Sequence, residues 1–133
     1  MPLPPQVGDH GYGRAFDELI GPRLRQFGPE MLLISAGFDA HWADPLAMAG
    51  LSLAGYAEIS RKLIGYAEEL CGGRVLFILE GGYQLDVLAN GVQNVFHALL
   101  GRDTILDPFG RMTEPERDIS ALLEQLKVHY LSK

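Results

Sequence analysis

Asp39 and Tyr83 each stand a few residues beyond a short, wholly apolar run, Met31-Leu-Leu-Ile34 for the first and Val75-Leu-Phe-Ile-Leu79 for the second. Runs of that length are too short for helices and have the pattern of strands buried on both faces. In open α/β sheets, ligands sit in the crevice outside the carboxyl ends of the parallel strands, so a carboxylate there is better placed for chemistry than one in mid-helix. Tyr83 follows Gly81 and Gly82, which permit a tight turn and close approach of backbone to a ligand. Taken singly, a loop aspartate also serves as a turn or cap residue, and a tyrosine that opens a helix also serves packing. On one rim, the two offer a carboxylate and a phenol to the same ligand.

A common rim requires the strands to run parallel, and the sequence between them supplies the crossover. Ser52 is a helix cap, followed by Leu53, Tyr56, Ala57, Ser60, Leu63, Ile64, Ala67 and Leu70 at helical spacing, with Gly72-Gly73 as the stop. Met31 to Glu80 therefore reads as a strand, helix, strand unit with a right-handed crossover. Upstream, Phe16, Leu19, Ile20, Leu24 and Phe27 predict an amphipathic helix from Arg14, kinked at Gly21-Pro22 and ended by Gly28-Pro29. Met1 to Gly13, rich in proline and glycine, predicts an extended, irregular lead-in. Beyond Tyr83, a third helix places Leu85, Leu88, Ala89, Val92, Val95, Phe96 and Leu99 on one face, with Gly101 past its end. Thr113-x-x-Glu116 matches a capping box with Pro115 in the first turn of a last helix that carries Ile119, Leu122, Leu123 and Leu126.

The 133 residues, 47% apolar and 21% charged, fit one α/β domain over 1–133 with two strands and about four helices. Seventeen acidic against eleven basic residues, net −6, argue against nucleic-acid and anionic-membrane partners. No apolar run approaches the ~20 residues that span a bilayer, no leader opens the chain, and the lone Cys71 allows no internal disulfide; a cytoplasmic protein is the expectation. Cys71 reads as a small buried residue at a helix end. Two apolar strands alone leave open edges and uncovered faces, so strands are expected to be missing from this chain.

The motifs Ser35-Ala-Gly-Phe-Asp-Ala-His-x-x-Asp-Pro-Leu46 and Leu79-Glu-Gly-Gly-Tyr83, in this order and spacing, resemble the C-terminal part of the zinc-dependent histone deacetylase and acetylpolyamine amidohydrolase superfamily, the bacterial and class II type in particular. Pro2-Leu-Pro-Pro5 with Gly8-Asp-x-Gly-Tyr12 is similar to the segment that precedes the first helix there, and the likeness runs from about Pro2 to Gly101. The resemblance implies part of a three-layer arginase/deacetylase-like fold. It implies that Asp39 is a zinc ligand, that Tyr83 hydrogen-bonds the carbonyl oxygen as it becomes an oxyanion, that Gly81 and Gly82 flank an acyl-lysine tunnel, and that Leu46 lines its mouth. A leucine at that mouth suits an acyl-lysine or other neutral amide. His41 is expected in a surface or loop role, His10, His97 and His129 in structural ones, and Asp44 as a residue that fixes its loop through backbone bonds.

The family also needs a tandem histidine pair and an Asp-x-His metal motif, both normally N-terminal to these motifs, and this chain reads as containing neither. Zinc catalysis takes about three protein ligands and a base. The expected function is therefore a fragment or truncated form of a zinc-dependent deacylase acting on an acetylated amine, inactive alone and holding no zinc by itself. The alternative is a non-catalytic structural or interaction module that self-associates into a homo-oligomer. A split enzyme completed by another polypeptide, the missing N-terminal half, is the third.

Overall fold

The computed structural model describes residues 3–131. Helix α1 (Asp9–Ala15) opens earlier than the sequence predicts, within the lead-in, of which Met1 and Pro2 lie outside the described residues. Gly8 at its N-cap has no side chain to satisfy the first amides, and the carboxylate of Glu116 does so instead. It accepts from the N–H groups of Gly8 (3.1 Å), His10 (3.2 Å) and Gly11 (2.9 Å). A start that depends on a residue more than 100 positions away leaves no local signature. One π-helical turn, Phe16–Ile20, joins α1 to α2 (Gly21–Phe27), and Gly21 N–H bonds back to Phe16 C=O. That wider turn stands in place of the expected break at Gly21-Pro22, since a proline early in α2 lacks the N–H that an unbroken ladder would need. Gly28, left-handed at φ 64°, ends α2 as expected.

Strands β1 (Leu32–Ala36) and β2 (Val75–Leu79) pair in parallel, Leu32 opposite Val75 through Ala36 opposite Leu79. Between them runs α3 (Leu53–Cys71), capped by Ser52, whose hydroxyl accepts from Gly55 N–H and is itself held by Asp9 at 2.7 Å. Leu32, Tyr66, Ala67 and Cys71 form one core cluster between sheet and α3, and Phe38, Leu53, Val87 and Val95 form another between α3 and α4 (Leu85–Leu99). The expectation of strands buried on both faces needs correction. Leu33, Leu76 and Ile78 are 64%, 47% and 44% exposed, because their side of the sheet carries no covering layer among the described residues. The inner face of α4 also differs from the predicted stripe. Val87, Gly91, Asn94, Val95 and Ala98 are buried, while Leu85, Phe96 and Leu99 are exposed. Asn94 turns inward because its side-chain amide exchanges two hydrogen bonds with the backbone of Leu106 at 2.8 and 2.9 Å, a partner that hydrophobic periodicity cannot register.

From Leu100 the chain returns as an irregular strap to α5 (Ser120–Leu131), which seals Val7 and Ala15 under Ile119 and Leu123. The predicted capping box at Thr113–Glu116 does not form. Helix α5 starts at Ser120 after Asp118, and Glu116 is committed to α1. Glu116→Ala should therefore destabilise the chain by about 1–2 kcal/mol, the loss expected for a charged cap on several amides. Urea unfolding measures it, and a change within experimental error would show that water replaces the carboxylate without cost.

On the same side, Glu18 lies between Arg14 (2.7 Å) and Lys127 (3.0 Å), which hold its carboxyl down at about 2. A folded pKa below the unfolded one contributes stability that is complete above about pH 4.5 and fades as pH falls toward 2. The pair is solvent-accessible, so screening reduces the contribution to about 1 kcal/mol. Glu18→Gln should flatten the stability curve between those pH values, as read by denaturation midpoints, and leave it parallel to the parent above pH 6.

Candidate functional site

Phe38, Asp39 and Ala40 leave the carboxyl end of β1, and Glu80 to Tyr83 leave that of β2. Two hydrogen bonds extend the strand pairing into this region, Glu80 N–H to Ala36 C=O (3.1 Å) and Phe38 N–H to Gly81 C=O (2.9 Å). They bring the Asp39 carboxylate against the turn so closely that a methyl group added to Gly81 would lie 3.0 Å from Asp39 Oδ2. An alanine at 81 would require the Asp39 carboxylate to give way by a few tenths of an ångström, and Gly82, at φ +131°, has a conformational reason to be glycine. Asp39, Gly81 and Tyr83 line one cavity of about 560 Å³ together with Tyr12, Ser35 and Tyr56. A second cleft of about 420 Å³ has Asp39 and Tyr12 together with Pro4, Pro5, Leu46 and Met48. Thus Asp39, Tyr83 and Gly81 come together, Leu46 shares the second cleft with Asp39, and Gly82 packs against Phe38 and Leu88 behind the turn.

Two residues that sequence reasoning undervalued, Tyr12 and Tyr56, line the same cavity. Burial, and then the nearby Asp39 charge, push the Tyr12 phenol above its ordinary pKa, which keeps it a neutral hydrogen-bond donor beside the carboxylate. Burial does the same to Tyr56 more strongly, and its hydroxyl has no hydrogen-bond partner among the described residues. The Gly8-Asp-x-Gly-Tyr12 motif was the available signal for Tyr12; Tyr56 is masked by its place in an apolar helix stripe.

Asp44 fixes its loop as expected, with Oδ1 accepting from the amides of Leu46 (2.9 Å) and Ala47 (3.3 Å). Its other oxygen accepts from Tyr83 N–H at 2.8 Å, across 39 residues of sequence. Burial alone would raise this carboxyl, but the amides of Leu46, Tyr83, Ala47 and Gln84 outweigh it and hold the pKa below its ordinary value.

His41 is in a loop but not at the surface; it is fully buried. Its Nδ1 accepts from Ala43 N–H at 3.1 Å, the Trp42 ring stacks on it at 5.5 Å, and Phe109 of the strap meets it edge-on at 5.4 Å. Asp39-Ala40-His41 does have the spacing Asp-x-His, so the reading that the chain lacks such a motif needs correction. The imidazole nevertheless points into this aromatic cage, outside the residues that line either Asp39 cavity.

The donors present fall short of a resident metal site. Among the described residues no group of three or more His, Cys, Asp or Glu side chains is arranged to hold an ion. Asp39 is one carboxylate where a tetrahedral zinc site takes three or four protein ligands, so these residues alone do not fit a zinc centre. What they offer is one anionic oxygen pair, and a phenol on the same cavity that can donate a hydrogen bond to an oxygen gaining negative charge.

Residues 1–99 match the histone deacetylase domain model. The chain is 38% identical over 136 residues to the chloroplastic histone deacetylase 14 of Arabidopsis thaliana, covering 98% of this chain and 32% of that protein. It is 38% identical over 124 residues to a probable deacetylase of Archaeoglobus fulgidus, covering 92% and 33%. The crystal structure of the HDA15 HD domain superposes with a TM-score of 0.78 at 33% identity, over 97% of this chain and 34% of that one. The chain thus spans about a third of the length of the curated relatives it matches. With the family model covering three-quarters of its residues, from the lead-in through Tyr83 to the end of α4, the chain belongs to the histone deacetylase domain family.

Proposed function

We propose that this chain forms the Asp39–Tyr83 wall of a zinc-dependent deacylase site that hydrolyses an acetylated amine, and that the remaining metal ligands and the base that activates water come from sequence beyond these residues. The observation that carries the reading is the shared cavity, in which a carboxylate and a phenol from the ends of two paired strands stand on one rim. Family membership and a span of about a third of the relatives' length support it. Asp39 would contribute one carboxylate to a zinc site whose other ligands lie outside these residues, and a zinc held there would supply Lewis-acid polarisation of the acyl carbonyl. Tyr83 donates its phenolic hydrogen to the carbonyl oxygen as charge develops there, Gly81 and Gly82 let the backbone come close to the acyl chain, and Leu46 presents an apolar surface at the cleft where a neutral amide enters.

The isolated chain should show no turnover of an acetyl-lysine peptide and no tight one-to-one zinc binding. Addition of a polypeptide that carries the family's His-His and Asp-x-His segments should restore both. Isothermal titration with zinc and a fluorogenic acetyl-lysine assay decide this; robust turnover by the chain alone would overturn the division of the site.

A second reading is a self-associating module without catalysis, favoured by the uncovered apolar side of the sheet at Leu33, Leu76 and Ile78. Contiguous exposed apolar surface of this kind marks an interaction face. Light scattering across a hundredfold range of concentration, about 1–100 μM around common protein affinities, separates the two. A monomer throughout removes the second reading.

A further inference from the structure

We propose that Asp44 is a positioning residue, one whose buried carboxylate couples the Tyr83 turn to the Asp39 loop and so sets where the phenol stands relative to the Asp39 carboxylate. The inference rests on the reading of Tyr83 and Asp39 as the reacting rim. Asp44 is 7% exposed, and burial of a carboxylate is costly unless hydrogen bonds compensate. A turn that only needed fixing would use one oxygen, and Oδ1 already serves Leu46 and Ala47. Oδ2 is directed to Tyr83 N–H. The Tyr83 side chain is 54% exposed, so packing does little to place it. The strand ladder that precedes it reaches only as far as Gly81 C=O, and Gly82 at φ +131° then redirects the chain. The bond from Tyr83 N–H to Asp44 is what next ties that residue to the β1 side of the rim. One carboxylate thereby spans both loops, and the separation of phenol and carboxylate is transmitted through it.

An asparagine at 44 has the same shape but one oxygen. Its carbonyl can keep the Leu46 and Ala47 amides, which leaves its NH₂ facing Tyr83 N–H, donor against donor. Amide hydrogen exchange by NMR on the full chain tests this. In the parent, the Tyr83 amide should exchange at least about tenfold more slowly than an unstructured peptide amide. In Asp44→Asn it should accelerate by about tenfold or more while Leu46 and Ala47 change by less than about threefold. A parent Tyr83 amide that exchanges at the unprotected rate overturns the proposal, a result that does not depend on any variant folding. So does a variant in which only Leu46 and Ala47 lose protection, since Asp44 would then fix its own turn and nothing else. In an assembly that turns over acetyl-lysine, Asp44→Asn should lower kcat about tenfold with KM within about threefold, and should cost nothing further in a Tyr83→Phe background. A loss that persists in that background assigns Asp44 a general structural role and overturns the proposal. If no assembly is active, the deacylase reading fails while the exchange result still decides the role of Asp44.

Discussion

Replacement of Tyr83 by phenylalanine should lower kcat of the completed catalytic assembly by about 10²–10³-fold, the usual loss when one fixed donor to a developing oxyanion is removed. The change deletes a single hydroxyl from a half-exposed ring. The backbone hydrogen bond from Tyr83 N–H to Asp44 is untouched by it. Folding stability should therefore stay within about 0.5 kcal/mol of the parent, as for surface changes away from special features. KM should move little, because a donor that matters chiefly in the transition state contributes little to ground-state binding. Steady-state kinetics on an acetyl-lysine peptide, beside a urea melt of each protein, give the two numbers. If kcat falls less than threefold, about 0.6 kcal/mol of transition-state stabilisation, Tyr83 is a wall residue and not a donor.

The frame that carries Tyr83 was legible in the sequence because it is local. Apolar runs of four and five residues, a serine cap at Ser52, and glycines at 28, 72 and 101 each specify their own conformation, and the structure has β1, β2, the α3 cap and the helix ends there. The features that were not legible are all contacts between distant segments. Glu116 has the spacing of a local capping box with Thr113, but its carboxylate serves α1, because Gly8, His10 and Gly11 present three unpaired amides to it. His41 is a polar residue in a polar-looking loop, and it is buried only because Phe109 and Gly110 of the strap close over it, with Trp42 Nε1 donating to Gly110 C=O at 2.9 Å. The face of α4 is rotated by Asn94 and Leu106 for the same reason. At the site, the nearness of Asp39 to Gly81 followed from parallel strands alone, whereas the bridge by Asp44 needed the loop's path, which no periodicity encodes. Strands apolar on both sides were read as doubly buried, and here one side is open.

Phe38→Ala should be the most destabilising change at the site, by about 3–5 kcal/mol, a large share of the 5–15 kcal/mol that holds a typical domain. The Phe38 ring is buried among Leu53, Val87 and Val95, with the Tyr56 ring 5.1 Å away. One edge of it lies against α4 at Gly91, where even a methyl group would overlap Cδ1 and Cε1, and its Cβ is 3.1 Å from where a side chain on Gly82 would begin. Removal of the ring opens a cavity that the helix backbone cannot fill, since Gly91 and Gly82 contribute no side chain toward it. Gly91→Ala attacks the same contact from the other side and should cost about 1–3 kcal/mol by overpacking. The two changes should not be additive, because without the ring the alanine methyl has room; Phe38→Ala/Gly91→Ala should be no less stable than Phe38→Ala alone. The consequence for the site follows from position. Phe38 immediately precedes Asp39, and its amide makes the 2.9 Å bond to Gly81 that joins the two loops. Under conditions where the variant remains folded, the amides of Phe38 and Tyr83 should both lose protection from hydrogen exchange while those in the middle of α3 keep it. Urea denaturation of the three variants measures the energies; a loss below 1 kcal/mol for Phe38→Ala, or full additivity with Gly91→Ala, would mean that the ring does not anchor the Asp39 loop.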